Sequence, residues 1–97
     1  MTEFAVLDPV ATGQKITELR KAKHLRVEDV REFFGFECSQ SIYKWQRGES
    51  LPTVDNLFAL SRLLETPIDN ILQERIEEDD KSSSFLNFWF IVLNLDY

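Results

Sequence analysis

Two short apolar patterns, each closed by a glycine, most limit how this chain can fold. The first places four apolar side chains on one face of a two-turn helix: Val27, Val30, Phe33 and Phe34. Gly35 then provides the residue type that most often ends a helix. The second pattern pairs Ile42 with Trp45 and stops at Gly48. The sequence therefore predicts two helices of about two turns each, close together in the chain.

The link between these two helices is short, and it fixes how they pack. It reads Gly35-Phe36-Glu37-Cys38. Two helices joined so closely must cross at a steep angle, as in a helix-turn-helix unit. With Ile42 and Trp45 facing inward, a polar and cationic edge of the second helix faces outward, made up of Gln40, Tyr43, Lys44 and Arg47.

Cap signals predict three further helices and an all-α fold. Residues 12–13 can open a first helix, and Thr53 can cap a fourth. Thr66 followed by Pro67 predicts the start of a short fifth helix over residues 68–72. On the fourth helix, Val54, Leu57, Ser61 and Leu64 lie on one stripe, and Leu60 widens that face.

The acidic net charge is unevenly distributed along the chain. The 97 residues suit one small domain and carry a net charge of −6. Residues 14–48 hold eight basic and five acidic groups, a net charge of +3, and the remainder holds three and twelve, a net charge of −9. Such asymmetry leaves a nucleic-acid partner open for the basic region.

Several classes of protein are disfavoured by the residues present. Cys38 is the single cysteine and His24 the single histidine, so neither an internal disulfide nor a Cys/His zinc site is expected. We find no signal peptide and no apolar run of about 18–20 residues, so we expect a soluble cytoplasmic protein with no membrane partner. No nucleophile–base set or glycine-rich phosphate loop is present, so we expect no enzyme activity and no cofactor.

Four stretches resemble one known family. They are "ITELRKAKHL", "VEDVREFFGF", "SIYKWQRGESLPTVDNLFALSRLL" and "PIDNIL", within residues 13–72. This region is similar to the Cro- and phage-repressor-like helix-turn-helix domains, often called XRE-type. The resemblance implies a five-helix domain over residues 12–72 that binds double-stranded DNA as a homodimer and regulates transcription.

The resemblance implies a recognition helix at about residues 39–47. Its exposed first two turns carry Ser39, Gln40, Tyr43 and Lys44. Gln can pair with adenine and Lys can donate to guanine, whereas Tyr43 suits sugar–phosphate or a neighbouring side chain. Arg47, at the helix end, is expected on a phosphate. From the residues alone, an ordinary solvated helix face remains the alternative.

For several other positions we predict a structural role or find a departure from the family pattern. Arg26 and Val27 stand where the family usually has Thr or Ser and then Gln. A phosphate-binding amide is therefore missing, and we expect the Arg26 side chain to bind the phosphate in its place. Arg31 occupies a position usually held by alanine, which suggests a differently packed crossing. Trp45 is expected in the core. Gln46, where the family often has a glutamate, is expected to accept a hydrogen bond from Arg20.

Outside the predicted domain we expect three segments. Residues 1–11 are an N-terminal arm, residues 73–84 an acidic linker, and residues 85–97 an apolar tail, "FLNFWFIVLNLDY". The tail can fold back on the domain, join a dimer partner or bind another protein. Val6 and Leu7 are candidates to pair with it as a short strand.

We therefore predict a sequence-specific DNA-binding regulator acting as a homodimer. Repression by occupying a promoter is the simplest mechanism. The alternative is a protein-interaction module, such as an antitoxin, whose apolar tail binds a partner.

Overall fold

The computed structural model of the protein describes residues 5–76, and this part of the chain is helical. It contains five helices in the order α1 Pro9–Ala22, α2 Val27–Phe34, α3 Gln40–Arg47, α4 Val54–Leu63 and α5 Ile68–Ile71. The predicted five-helix, all-α architecture is confirmed here. None of these helices has the length and apolar character that a bilayer crossing requires.

The predicted glycine stops end the two central helices. Gly35 has φ +74° and Gly48 has φ +79°, both in the left-handed region that glycine adopts without strain. At α4, the Thr53 side chain accepts a hydrogen bond from the Asn56 backbone N–H at 3.3 Å. The expected caps therefore fix α2, α3 and the start of α4.

Helix α1 begins three residues earlier than residue 12, where the sequence suggested. The Asp8 carboxylate accepts a hydrogen bond from the Ala11 N–H at 3.0 Å, and Pro9 occupies the first helical position. Thr12 lies inside the helix and is fully buried. Its hydroxyl accepts a hydrogen bond from the Gln73 N–H at 3.0 Å, so it joins the two ends of the domain.

Helix α5 also departs from the expected cap. Pro67, rather than Thr66, is the N-cap residue. The Thr66 hydroxyl instead donates to the Leu64 carbonyl at 2.9 Å, so it satisfies a carbonyl at the end of α4. The helix ends at Ile71, and Leu72 is its C-cap.

One core lies between the helices. Its eight buried apolar residues are Ile16, Val30, Ile42, Trp45, Leu57, Leu60, Leu64 and Ile71. Trp45 is 4% exposed, which confirms its predicted core position. Two residues of the expected apolar faces are exposed: Phe33 at about half of its surface, and Val54 at 79%.

The segments before α1 and after α5 are joined by an antiparallel bridge. Leu7 lies opposite Glu74. The Asp8 N–H donates to the Gln73 carbonyl at 2.8 Å, and the Arg75 N–H donates to the Val6 carbonyl at 2.7 Å. Val6 and Leu7 therefore pair with residues 73–75, at the start of the expected linker. Residues 85–97, suggested as their partner, lie outside the described part of the chain.

Candidate nucleic-acid interface

Helix α3 has one buried edge and one exposed edge. Ile42 and Trp45, three positions apart, are both buried against the core. A helix that buries this stripe must present the opposite positions to solvent. The exposed positions include four of the predicted contact residues: Gln40, Tyr43, Lys44 and Arg47. Ser39, also predicted, is the half-buried N-cap residue.

The position of α3 depends on a close approach to α1 at Gly13. A Cβ atom at Gly13 would lie 2.2 Å from the Trp45 carbonyl oxygen and 2.6 Å from that of Gln46. Real side chains do not tolerate such distances, so the two backbones meet here only because residue 13 has no side chain. The backbone of α3 is therefore packed directly against α1.

A buried arginine adds a polar connection between the same helices. The Arg20 Nε–H donates to Gln46 Oε1 at 2.9 Å, and an Arg20 Nη1–H donates to the Leu25 carbonyl at 2.7 Å. Arg20 is buried. The predicted Arg20–Gln46 contact is confirmed, and it secures the C-terminal half of α3 to the end of α1.

The link between α2 and α3 is held by aromatic rings and by Arg31. The rings of Phe34 and Phe36 stack with their centroids 4.9 Å apart, and Phe34 meets Trp45 edge-on at 5.6 Å. An Arg31 Nη1–H donates to the Phe36 carbonyl at 2.7 Å, while its Nε–H donates to Glu28 at 2.9 Å. Arg31 therefore supports the turn, and its guanidinium lowers the pKa of the Glu28 carboxyl through that hydrogen bond.

Arg26 lies at the N-terminus of α2 and is paired within its own turn. Its Nη2 atom lies 3.2 Å from Asp29 Oδ1, and Asp29 Oδ2 accepts from the Arg26 backbone N–H at 2.8 Å. The hydrogen bond from the Arg26 side chain lowers the pKa of the Asp29 carboxyl. Arg26 also lines an open cleft of about 600 Å³ together with Tyr43 and His24. The fold thus brings Arg26 to the same side as the exposed edge of α3.

At the other end of α3, Arg47 is paired as well. Its Nε atom lies 2.6 Å from Glu49 Oε2. This hydrogen bond is the main cause of the lowered pKa of the Glu49 carboxyl, and the charge of Lys44 acts in the same direction. Lys44 itself makes no ion pair within 4 Å among residues 5–76.

The pairing of both arginines was missed from the sequence. Asp29 stands three positions after the N-cap, which is the spacing of a capping box and could have revealed the contact. Glu49 follows Arg47 by two positions, with the helix-ending Gly48 between them. Helical periodicity does not predict this contact, because side chains two positions apart do not face each other on a helix. The consequence is a surface whose arginine charges are already partly satisfied.

The exposed edge of α3 is suited to hydrogen bonding with a polar partner. Gln40 offers an amide donor and acceptor, and Lys44, one helical turn further on, offers three N–H donors. Both lie on one face because they are four residues apart. In the described part of the chain, no three His, Cys, Asp or Glu side chains converge in a way that would hold a metal ion.

Comparisons with known proteins identify the fold. No protein-family model matches the chain. No curated protein matches it. The crystal structure of the DNA-binding domain of BldD superposes with a TM-score of 0.58 and 23% sequence identity, covering 67% of this chain and 93% of that one. The S. venezulae BldD DNA-binding domain gives a TM-score of 0.58 and 21% identity, covering 67% and 96%.

At this level of identity, the similarity shows a common fold. The arrangement of α2 and α3, joined by the link over residues 35–39, is a helix-turn-helix within a five-helix domain.

Proposed function

We propose that the protein is a sequence-specific DNA-binding transcriptional regulator of the Cro-like, XRE-type family, with α3 as its recognition helix. One observation carries the proposal: α3 is anchored by Ile42 and Trp45 and presents Gln40 and Lys44, one turn apart, on its exposed edge. The major groove of B-DNA is wide enough to admit such a helix. The fold shared with the BldD DNA-binding domains supports this assignment.

The exposed residues then have distinct roles. Gln40 is suited to adenine, through its paired donor and acceptor, and Lys44 to guanine O6 and N7. Ser39 and Tyr43 border these contacts. Arg47 and Arg26 lie at the end of α3 and the start of α2, where we assign them to phosphates. Phosphate contacts position the domain, and base contacts select the sequence.

We further propose that the protein acts in the cytoplasm as a homodimer that represses by occupying a promoter. A domain of this size reads a short half-site, so a second copy gives added length and affinity. Two recognition helices in successive major grooves lie about 34 Å apart. The preferred DNA site would then be a palindrome with half-sites about 10 base pairs apart.

Selection from a random duplex library tests this function. The full chain should enrich one palindromic sequence, and should bind it at least about 10³-fold more tightly than an unrelated duplex at the same salt concentration. Binding should weaken steeply with salt, because phosphate contacts release counterions. If selection enriches no sequence and binding to all duplexes is equal, the proposed function is wrong.

The apolar run in residues 88–93 favours a second candidate function, a protein-interaction module such as an antitoxin. Under that alternative, selection enriches no duplex, while residues 85–97 are required for a stable complex with a different protein. The two candidates are separated by comparing DNA selection by the full chain with partner binding by the full chain and by a chain lacking the tail.

A further inference from the structure

The bridge between the two ends of the domain has open edges. Its hydrogen bonds are made by the residues that flank Leu7 and Glu74. The Asp8 N–H donates to the Gln73 carbonyl, and the Arg75 N–H donates to the Val6 carbonyl. In an antiparallel ladder, this pattern directs the N–H and C=O groups of the opposed pair outward. Within residues 5–76, these outward groups of Leu7 and Glu74 have no backbone partner. Such an edge is a template for a further strand.

Exposed apolar side chains lie in the bridged segments and next to them. Val6, Leu7, Val10 and Ile76 are all exposed, and Ile76 is 61% exposed. All four belong to the segments that the bridge joins or to the first turn of α1, and we refer to them as the terminal patch. Exposed apolar groups concentrated in one region commonly mark a binding surface.

The chain itself supplies a matching segment. It continues from Ile76, within the terminal patch, through the eight charged and polar residues 77–84 to "FLNFWFIVLNLDY". Eight residues span at most about 28 Å when extended, so the segment that follows stays near the patch. A connection this short holds it at an effective concentration in the millimolar range. Residues 88–93, "FWFIVL", are of the aromatic and β-branched types that favour strands.

We propose that residues 88–93 of the same chain add as a strand to one open edge of the bridge and cover the terminal patch. The proposal does not depend on DNA binding. Attachment to the same chain is favoured over a second copy because the connecting segment starts within the patch itself.

Quenching of tryptophan fluorescence by acrylamide tests the proposal on the full chain. Trp45 is 4% exposed and Trp89 lies in the proposed strand, so a Trp89→Phe chain supplies the background. We expect the quenching constant of Trp89 to be several-fold lower in the full chain than in a free peptide of residues 85–97. Leu7→Lys should restore it to the peptide value, because a charge in the terminal patch opposes apolar docking.

Two more variants keep this test interpretable. Ile76→Lys alters a more exposed side chain of the patch and should expose Trp89 in the same way, even if Leu7→Lys lowers stability. Val54→Lys is the matched control, since Val54 is 79% exposed and lies on α4, outside the patch. It should leave the quenching of Trp89 unchanged. Shielding that persists in both patch variants would overturn the proposal, as would a fully accessible Trp89 in the unaltered chain.

A mixture of two chains distinguishes the same chain from a second copy. Chains carrying Leu7→Lys with Trp89 intact are mixed with an excess of Trp89→Phe chains, whose patch is intact. If each segment docks on its own chain, Trp89 stays accessible, because its own patch is altered. If Trp89 becomes shielded, the segment docks on a second copy and the proposal is wrong. No DNA is present, so neither result depends on the proposed function.

Discussion

At the scale of single residues, the arginines assigned to phosphate are each paired with a carboxylate of the same chain. Arg26 is held by Asp29 and Arg47 by Glu49. Exposed ion pairs of this kind are screened by solvent and contribute little to stability, so a phosphate can displace the carboxylate. Under the proposed function, we therefore expect the pairing to weaken binding to any duplex, whatever its sequence, and to increase the relative importance of the base contacts.

Glu49→Gln should strengthen binding to an unrelated duplex. Freeing Arg47 from an exposed pair is expected to raise that affinity by about two- to fivefold. Arg47→Ala should weaken binding to matched and unrelated duplexes alike, and reduce the salt slope by about one. Affinity measured across a salt series tests both changes. Glu18→Gln is the control, because it removes the same charge from an ion pair with Lys15. Equal gains in Glu18→Gln and Glu49→Gln would indicate that net charge alone is responsible.

The sequence predicted two helix ends and the burial of Trp45 correctly, because these features depend on residues close together in the chain. Gly35 and Gly48 end helices by their own backbone freedom, and the inward position of Trp45 follows from its spacing to Ile42. Thr12 was misread because its hydroxyl serves Gln73, 61 positions away in sequence. A cap signal and a long-range hydrogen bond use the same residue type, so local sequence does not separate them.

The sequence predicted the exposed edge of α3 but not the ion pairs beside it. The exposed edge of α3 follows from helical periodicity once Ile42 and Trp45 are assigned to the core. Phe33 is exposed although it lies on the apolar pattern of α2. The carboxylate partner of Arg47 depends on how the chain turns after Gly48, which helical periodicity does not describe.

At the scale of helices, the crossing of α1 and α3 depends on Gly13. Gly13→Ala should destabilise the domain by about 1–3 kcal/mol, because the new Cβ atom would overlap the Trp45 carbonyl. This cost opposes the gain of about 1 kcal/mol that alanine normally gives in a helix. Thermal or urea unfolding measures the difference.

Gly35→Ala provides the comparison for that measurement. A Cβ atom at Gly35 would meet nothing within 4 Å, so its cost comes only from the positive φ. We expect Gly13→Ala, unlike Gly35→Ala, to alter DNA affinity beyond its effect on stability, since it moves α3. If Gly13→Ala is as stable as the original protein, the close approach of α1 and α3 is contradicted.

Trp45→Ala tests whether the inward edge of α3 is structural. Removing a buried tryptophan is expected to cost about 3–5 kcal/mol and to unfold or strongly destabilise a domain of this size. Circular dichroism with urea titration provides the measurement. A variant that keeps its stability and loses only DNA binding would show that Trp45 is a surface contact.

At the scale of the whole molecule, the apolar tail over residues 85–97 is the segment whose role most needs an explanation. The run over residues 88–93 is apolar at every position, so a strand formed from it would have two apolar faces. The terminal patch can cover one face. We propose that the other face meets the same face of a second copy, which would form a closed two-fold dimer.

Deletion of residues 85–97 should therefore leave a folded helical domain that is monomeric. Sedimentation should show the mass falling from dimer to monomer, and affinity for the selected palindrome should fall because the two half-sites are no longer linked. Affinity for a single half-site should change little. A truncated chain that stays dimeric and binds the palindrome normally would assign the tail to another partner.

Base discrimination by the exposed edge of α3 is the most direct test of whether α3 reads the DNA sequence. The full chain, Gln40→Ala and Lys44→Ala are titrated against the selected duplex and against duplexes with one base pair replaced at a time. We expect each variant to lose about 1–3 kcal/mol of binding free energy on the selected duplex and to keep its melting temperature. Each variant should also no longer discriminate among bases at one position in each half-site. If both variants bind and discriminate as the full chain does, α3 does not read the DNA sequence.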